Sequence, residues 1–281
     1  MRLRVGAATD VGRVRALNED AYVARAERGL LLVCDGMGGA PAGEVASQIA
    51  VDNILRQLAA VPRRRIASLK PDGSGYLLQT RHLADAVRGS NRLIYRQAQD
   101  DELQAGMGTT VVGAWITAQI ASVAHVGDSR AYLWHKNGFE RLTRDHSLVE
   151  AQAAAGLAVA DDDQTSDDEH VLVRALGREP EVEVDVSEVP LQPGNYLVLC
   201  SDGLTRMVPE QTVARAIRQL RDPQRICDYL IAAANRSGGA DNITVVVVEV
   251  TDAWWRCLLN RWRGLAEGGR DAEVNAAIQG S

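Results

Sequence analysis

Apolar residues along this chain fall into two kinds of stretch. Short, nearly unbroken runs bounded by glycine and aspartate predict strands over Leu30 to Cys34, Thr110 to Trp115, Ser122 to Val126, Arg130 to His135, Tyr196 to Cys200 and Ile243 to Val250. Longer stretches repeat at helical spacing. One runs from about Gly43 to Ala60 with Val45, Ile49, Ile54 and Leu58 on a stripe, and another from about Arg81 to Ala98 with Val87, Asn91, Ile94 and Ala98. A third covers roughly Pro209 to Ala234 and carries Val213, Ile217, Ile226 and Leu230. Between the first two helices, Pro62 to Thr80 is rich in proline, glycine, serine and arginine and reads as a loop. The strands around Thr110 to Trp134 are close enough to pair as an antiparallel meander. Clusters of antiparallel strands separated by helix pairs predict an α+β fold rather than a doubly wound one. After Val250 the pattern changes, so residues 1–250 read as the main domain and 251–281 as an appendage.

Composition narrows the picture. A chain of 281 residues can bury a large core as one big domain or two small ones, and with a single phenylalanine that core must be built mainly from Val, Leu, Ile and Ala. The net charge of −6 argues against nucleic-acid binding, and the cluster Arg63-Arg64-Arg65 is too short to reverse that. Cys34, Cys200, Cys227 and Cys257 have no metal-type spacing and are too sparse for a disulfide framework, which fits a reduced, cytoplasmic setting. Met1 to Asp10 lacks the apolar core of a signal peptide. No apolar run approaches the ~18 residues of a spanning helix.

Candidate chemistry enters with the aspartates. Leu30 to Cys34 leads into Asp35-Gly36-Met37-Gly38-Gly39, Val123 to Gly127 into Asp128, Tyr196 to Cys200 into Ser201-Asp202-Gly203, and Asp241-Asn242 opens the last strand. One Asp-Gly after a strand is an ordinary turn signal. Four aspartates at four strand ends go beyond it, because turns do not require aspartate every time. If the strands are neighbours, the carboxylates converge on one rim, where their repulsion calls for cations. All-oxygen ligands select hard ions, Mg²⁺ or Mn²⁺, and paired ions of this kind activate water and bind phosphate oxygens. The glycines admit close backbone approach, which makes the Gly36 carbonyl a candidate ligand. Upstream, Arg15 has the side chain best shaped for bidentate phosphate binding. Glu19 and Asp20 either join the metal rim or form a surface charge pair; spacing leaves both open.

Taken together, the motifs resemble the PPM family, the type 2C metal-dependent serine/threonine phosphatases, in bacterial form. They are Val14 to Asp20, Val33 to Gly39, Gly43 to Ser47, Gly108 to Thr110, Val126 to Arg130, Leu142 to Ser147, Arg174 to Gly177, Leu199 to Leu204 and Asp241 to Thr244, nine in the family's order over about residues 5–250. The resemblance implies a four-layer αββα sandwich with two central antiparallel β-sheets and a metal centre at one end. It implies that Asp35 bridges two core Mg²⁺ or Mn²⁺ ions, with the Gly36 carbonyl on one and Asp202 and Asp241 on the other. Asp128 with Asp202 would hold a third, weaker ion, Glu19 and Asp20 would act through metal-bound waters, and Arg15 would grip the substrate phosphate. A bridging hydroxide would hydrolyse phosphoserine and phosphothreonine on proteins, among them targets of a bacterial Ser/Thr kinase or the kinase itself.

Departures from the family pattern bear on substrate choice. Met37 stands where eukaryotic members often carry a histidine proposed as general acid, implying that a metal-bound water protonates the leaving group. Ala40 replaces a histidine frequent in bacterial members, and the flap of about His146 to Arg174 lacks the usual His-Pro. The acidic stretch Asp161 to Glu169 reads as a solvated loop or a selector of basic substrates. His125, His146 and His170 read as packed or surface side chains before proton shuttles, and Cys34 and Cys200 as small buried hydrophobes. Trp254 to Trp262 is an amphipathic stretch suited to docking on protein, with four arginines in the tail balanced by four acids. Two other functions stay open: a non-catalytic phosphoprotein-binding module, which would be expected to have lost metal ligands, and a hydrolase of small phosphoesters.

Overall fold

Strand β11 (Ile243–Thr251) shows why the central strands read as unbroken apolar runs. Side chains alternate across a strand, and here both faces are covered. Val245 and Val247 pack towards a helical layer, while Val246 and Val248 pack between two sheets. Strands β3 (Leu30–Met37) and β10 (Tyr196–Cys200) do the same. Leu30, Leu32 and Cys34 face one helical layer and Leu31 and Val33 the sheet interface; Val198 faces the other helical layer, and Leu197 and Leu199 the interface.

The computed structural model describes residues 1–38, 42–62, 71, 73, 75–154 and 171–252. The remaining strands are β1 (Arg2–Asp10), β2 (Asp20–Arg25), β4 (Gly108–Thr109), β5 (Val111–Thr117), β6 (Ile120–Val126), β7 (Arg130–His135), β8 (Gly138–Arg141) and β9 (Asp185–Pro190). They form a five-stranded sheet in the order β1-β11-β10-β7-β8 and a second sheet in the order β2-β3-β5-β6-β9, with β4 paired to the end of β3. Every pairing is antiparallel. Helices α1 (Ala42–Ala59) and α2 (Leu78–Asp100) cover the second sheet, with Ile54, Leu83, Val87 and Ile94 buried against it. A short α3 (Leu148–Ala154) follows the β8 hairpin. After the one-turn α4 (Asp202–Thr205), α5 (Glu210–Leu220) and α6 (Pro223–Arg236) cover the first sheet with Val213, Ile217, Ile226 and Leu230. The expected α+β, four-layer αββα sandwich is the architecture observed.

Four expectations need correction. The expected meander is split: β5 and β6 pair, but the turn Gly127-Asp128-Ser129 carries the chain out of the second sheet, and β7 belongs to the first. Asp35 and Gly36 lie inside β3, which extends to Met37 because β4 supplies it a partner, Gly36 opposite Thr109 and Met37 opposite Gly108. The single helical region from Pro209 to Ala234 is two helices. Arg221 takes a left-handed conformation with φ 56°, and Asp222 then caps α6 by accepting a hydrogen bond from the Arg225 amide, with Pro223 in the first turn. Helix α2 begins at Leu78, inside the stretch read as loop. The expectations for Ala40, Arg63 to Arg65, Asp161 to Glu169, His170 and the tail beyond Asp252 fall outside the described residues.

Leu199 is fully buried in the layer between the sheets, among Leu31, Val33, Leu197 and Val246. Leu199→Ala is expected to cost about 2–5 kcal/mol through lost transfer energy and a cavity that the facing sheet cannot close. Urea unfolding checks this, with the midpoint falling and the slope unchanged.

Candidate metal centre

The predicted acidic residues reach one rim of the sandwich from five segments. Asp20 opens β2 and lies directly opposite Asp35 on β3. Asp128 sits in the turn that crosses between the sheets, Asp202 opens α4 where β10 ends, and Asp241 precedes β11. Their proximity is written in their electrostatics. The Asp35 carboxyl is pushed well above the ordinary carboxylate value, first by burial and then by the charges of Asp20, Asp202, Asp128 and Asp241. Burial also raises Asp20 to about 7, against the pull of hydrogen bonds from Thr244 and Ser201. Asp128 rises to about 7 through burial and the charge of Asp202, with Arg206 pulling the other way. Glu19 is raised as well, chiefly by burial.

Neutral donors hold these acids in place. The Asp35 amide donates to Thr110 Oγ1 at 3.1 Å, and the Asp35 carbonyl accepts from the Thr110 amide at 2.8 Å and from Thr109 Oγ1 at 2.9 Å. Thr110 Oγ1 in turn pairs with Ser129 Oγ at 2.7 Å, linking the Asp35 strand to the residue after Asp128. Ser201 Oγ donates to Asp20 Oδ2 at 2.8 Å and accepts from the Thr244 amide at 2.9 Å, so one hydroxyl ties the two sheets together at the rim. Asn242 clamps the loop between β1 and β2. Its Nδ2 donates to the carbonyls of Val11 and Leu17, and its Oδ1 accepts from the Glu19 amide at 2.8 Å.

Glycine is required at Gly36 and Gly203. A Cβ at Gly36 would strike the carbonyl of Gly43, and one at Gly203 the carbonyl of Asn242. Such close approach brings the backbone to the rim in β3 and packs α4 against the start of β11.

The two nearby guanidinium groups lie against these acids. Arg15 Nη2 donates to Asp241 Oδ2 at 2.9 Å, which raises the Arg15 pKa, and its side chain remains 52% exposed. Arg206, one turn after Asp202, pairs with Asp202 Oδ2 and comes within 3.7 Å of Asp128 and 4.0 Å of Asp241. Among the described residues no three of the acids close into a ready-made cage. The negative charge is nevertheless under-compensated. Glu19 Oε1 and Asp20 Oδ1 are buried without a hydrogen-bond partner, a state that costs several kcal/mol unless a cation or ordered water completes it. An all-oxygen, net-negative rim with orphaned carboxylate oxygens fits hard divalent cations.

Of the sequence-predicted residues, Asp20, Asp35, Asp128, Asp202 and Asp241 are brought together, with Gly36, Glu19 and Arg15 on the same rim. Arg206 had not been anticipated, although its four-residue spacing from Asp202 was a readable signal. His146 is a packed side chain whose Nδ1 accepts from the Gly127 amide at 3.1 Å and whose Nε2 faces Asp185 at 3.3 Å, and the His125 ring lies tilted against it at 4.7 Å, with its pKa lowered to about 3 by burial. Cys34 and Cys200 are fully buried, and burial raises both thiols, Cys200 to about 12.

The model of the family described as "Protein phosphatase 2C" matches residues 12–240. The chain is 38% identical over 267 residues to the serine/threonine phosphatase stp of Listeria welshimeri, covering 94% of this chain and 97% of that protein. The crystal structure of the Mycobacterium tuberculosis serine/threonine phosphatase PstP/Ppp superposes with a TM-score of 0.75 at 34% identity, covering 90% of this chain and 100% of that one. A structure of the PstP catalytic domain in complex with two manganese ions superposes equally well, at 33% identity over 89% of this chain and 99% of that one. The chain therefore belongs to the protein phosphatase 2C family and is an enzyme of the serine/threonine phosphatase type.

Proposed function

We propose that residues 1–250 form a catalytic domain that hydrolyses phosphoserine and phosphothreonine on cytoplasmic proteins in a reaction dependent on Mg²⁺ or Mn²⁺, opposing a bacterial Ser/Thr kinase, with 251–281 as an appendage to it. The observation that carries this reading is the convergence of Asp20, Asp35, Asp128, Asp202 and Asp241 on one rim, with the Arg15 guanidinium at its exposed edge.

Asp35 is the residue suited to bridge two core ions, because it is the acid influenced by all four of the others. The Gly36 carbonyl, Asp202 and Asp241 would help hold that pair, Asp128 with Asp202 would hold a third ion, and Glu19 and Asp20 would orient bound waters through their orphaned oxygens. Ions held there supply an acidified water as nucleophile and positive charge for the phosphate oxygens. The chain's own groups do the rest. Arg15 presents its fork to the phosphate dianion and must first let go of Asp241, which the ions would otherwise claim. Thr109, Thr110, Ser201 and Asn242 keep the carboxylates in register, so the site needs little rearrangement on binding. Both ring nitrogens of His146 are engaged, so that side chain does not serve as a proton shuttle.

The full chain should release phosphate from phosphoserine and phosphothreonine peptides with Mn²⁺ present and stop when chelator is added. Turnover of small phosphoesters without phosphopeptides, or peptide binding without turnover, would overturn the reading. Asp35→Asn and Asp241→Asn are each expected to lower kcat by at least about a thousandfold while leaving the circular dichroism spectrum intact. Arg15→Ala should lower kcat/KM by about 10–100-fold, the worth of a charge-assisted phosphate contact.

Asp20 and Asp128 make the stability of the metal-stripped chain depend on pH. Both carboxyls lie near 7 in the folded chain against an ordinary 3.8, so the metal-stripped native state holds more protons than the unfolded chain between those values. Its stability should therefore fall as pH rises from about 4 to about 7. Ions require the deprotonated form, so Mn²⁺ should restore the loss and release protons on binding near pH 6. Melting temperatures of chelated and Mn²⁺-loaded protein across that range check the sign.

A further inference from the structure

We propose that Arg206 is a built-in counter-cation that occupies the oxygens of Asp128 and Asp202 and so weakens the binding of a divalent ion between them. The inference rests on the reading above, in which that pair holds the third ion. It starts from three contacts made by one side chain: with Asp202 Oδ2, with Asp128 Oδ2 at 3.7 Å, and through its other terminal nitrogen with Asp241 Oδ2 at 4.0 Å. The three acids come from the crossover turn, the start of α4 and the segment leading into β11. One planar guanidinium therefore spans three segments that belong to both sheets.

The position is fixed by the chain. Arg206 caps α4, its amide donating to the Asp202 carbonyl at 2.9 Å, and four-residue spacing puts its side chain on the same face as Asp202. The Asp128 and Asp202 side chains are only 11% exposed and that of Arg206 is 31% exposed, so these pairs are poorly screened by solvent. Arginine suits the place because its charge is delocalised and weakly hydrated, so it enters a partly buried site at less desolvation cost than an ammonium. It is also tethered, so it competes with free ions at a high effective concentration. A divalent ion that bridges Asp128 and Asp202 brings positive charge beside Arg206 and competes with it for these two carboxylates. The core ions would share Asp202 and Asp241 with Arg206 but would also be held through Asp35, which Arg206 does not contact among the described residues, so they feel it less.

Two consequences separate this role from that of a surface ion pair. The metal-free chain is stabilised by Arg206, because three acids share its charge, and the weak ion site, both of whose acids face Arg206, is weakened more than the core pair, which also draws on Asp35 and Gly36.

The test uses full-length chain stripped with chelator, Mn²⁺ titrations followed by the electron paramagnetic resonance of free Mn²⁺, and melting temperatures without ions. Arg206→Gln is expected to tighten the weaker class of Mn²⁺ sites by about tenfold and to lower the metal-free melting temperature, with the tight class changing by less than the weak one. Arg206→Lys, which keeps the charge but not the fork, should fall between the two. Adding Asp128→Ala to Arg206→Gln should abolish the gain, as a double-mutant cycle requires for a direct coupling. An unchanged weak class in Arg206→Gln, or a gain that survives Asp128→Ala, overturns the proposal. Loss of the tight class from the unmodified chain would instead overturn the metal-centre reading, and the proposal with it.

Discussion

Mutual repulsion among buried carboxylates is the constraint around which this protein is built. Asp20, Asp35, Asp128, Asp202 and Asp241 lie close enough to shift one another's protonation, and burial removes the water that would screen them. A fold that brings such groups together must hold them by something other than their own attraction. Here the restraint comes from neutral donors and from close backbone packing. The Ser201 hydroxyl, the Thr109 and Thr110 side chains and the Asn242 carboxamide contact the acids or the backbone that carries them, and none adds charge.

The sandwich supplies rigidity behind that rim. Strands β3, β10 and β11 are apolar on both faces because helices cover one side and the opposing sheet the other, so their ends are anchored by three separate apolar layers. Each of these strands delivers an acid or its support at the same edge: Asp35 within β3, Asp202 just beyond β10, Asp241 and Asn242 just before β11. Asp128 arrives differently, on the turn that leaves one sheet for the other. The rim is thus shared by both sheets, and the Ser201 bridge from β10 and β11 to Asp20 of β2 is where they are joined by a single hydroxyl.

Charge compensation divides between what is built in and what must be bound. Arg15 and Arg206 supply two positive charges, one at the exposed edge and one tucked under Asp202. Orphaned oxygens on Glu19 and Asp20 mark the remaining deficit. This division balances part of the acids' charge within the chain and leaves the rim net negative. The two arginines face different tasks because of where they stand: Arg15 is half exposed and free to turn outward, whereas Arg206 is held by the helix turn that also positions Asp202.

The sequence by itself determined the central strands, the acidic residues at their ends and, through nine ordered motifs, the family. Those strands were legible because both faces are buried, which turns a period-two pattern into an unbroken apolar run. The strands it did not disclose are β1, β2, β8 and β9, the edges of the two sheets, together with the two-residue β4. Edge strands such as Arg2-Leu3-Arg4-Val5 and Asp185 to Pro190 mix exposed and half-buried positions, so their pattern is weak and only the neighbour's ladder makes them strands. The break between α5 and α6 at Asp222-Pro223 was readable as a cap but was hidden by apolar spacing that continues across it. What only the tertiary structure decided is which acids meet and what stands between them. Opposition of Asp20 to Asp35, passage of Asp128 from sheet to sheet and the reach of Arg206 across three carboxylates bring together residues far apart in the chain, and no local pattern encodes a meeting of that kind.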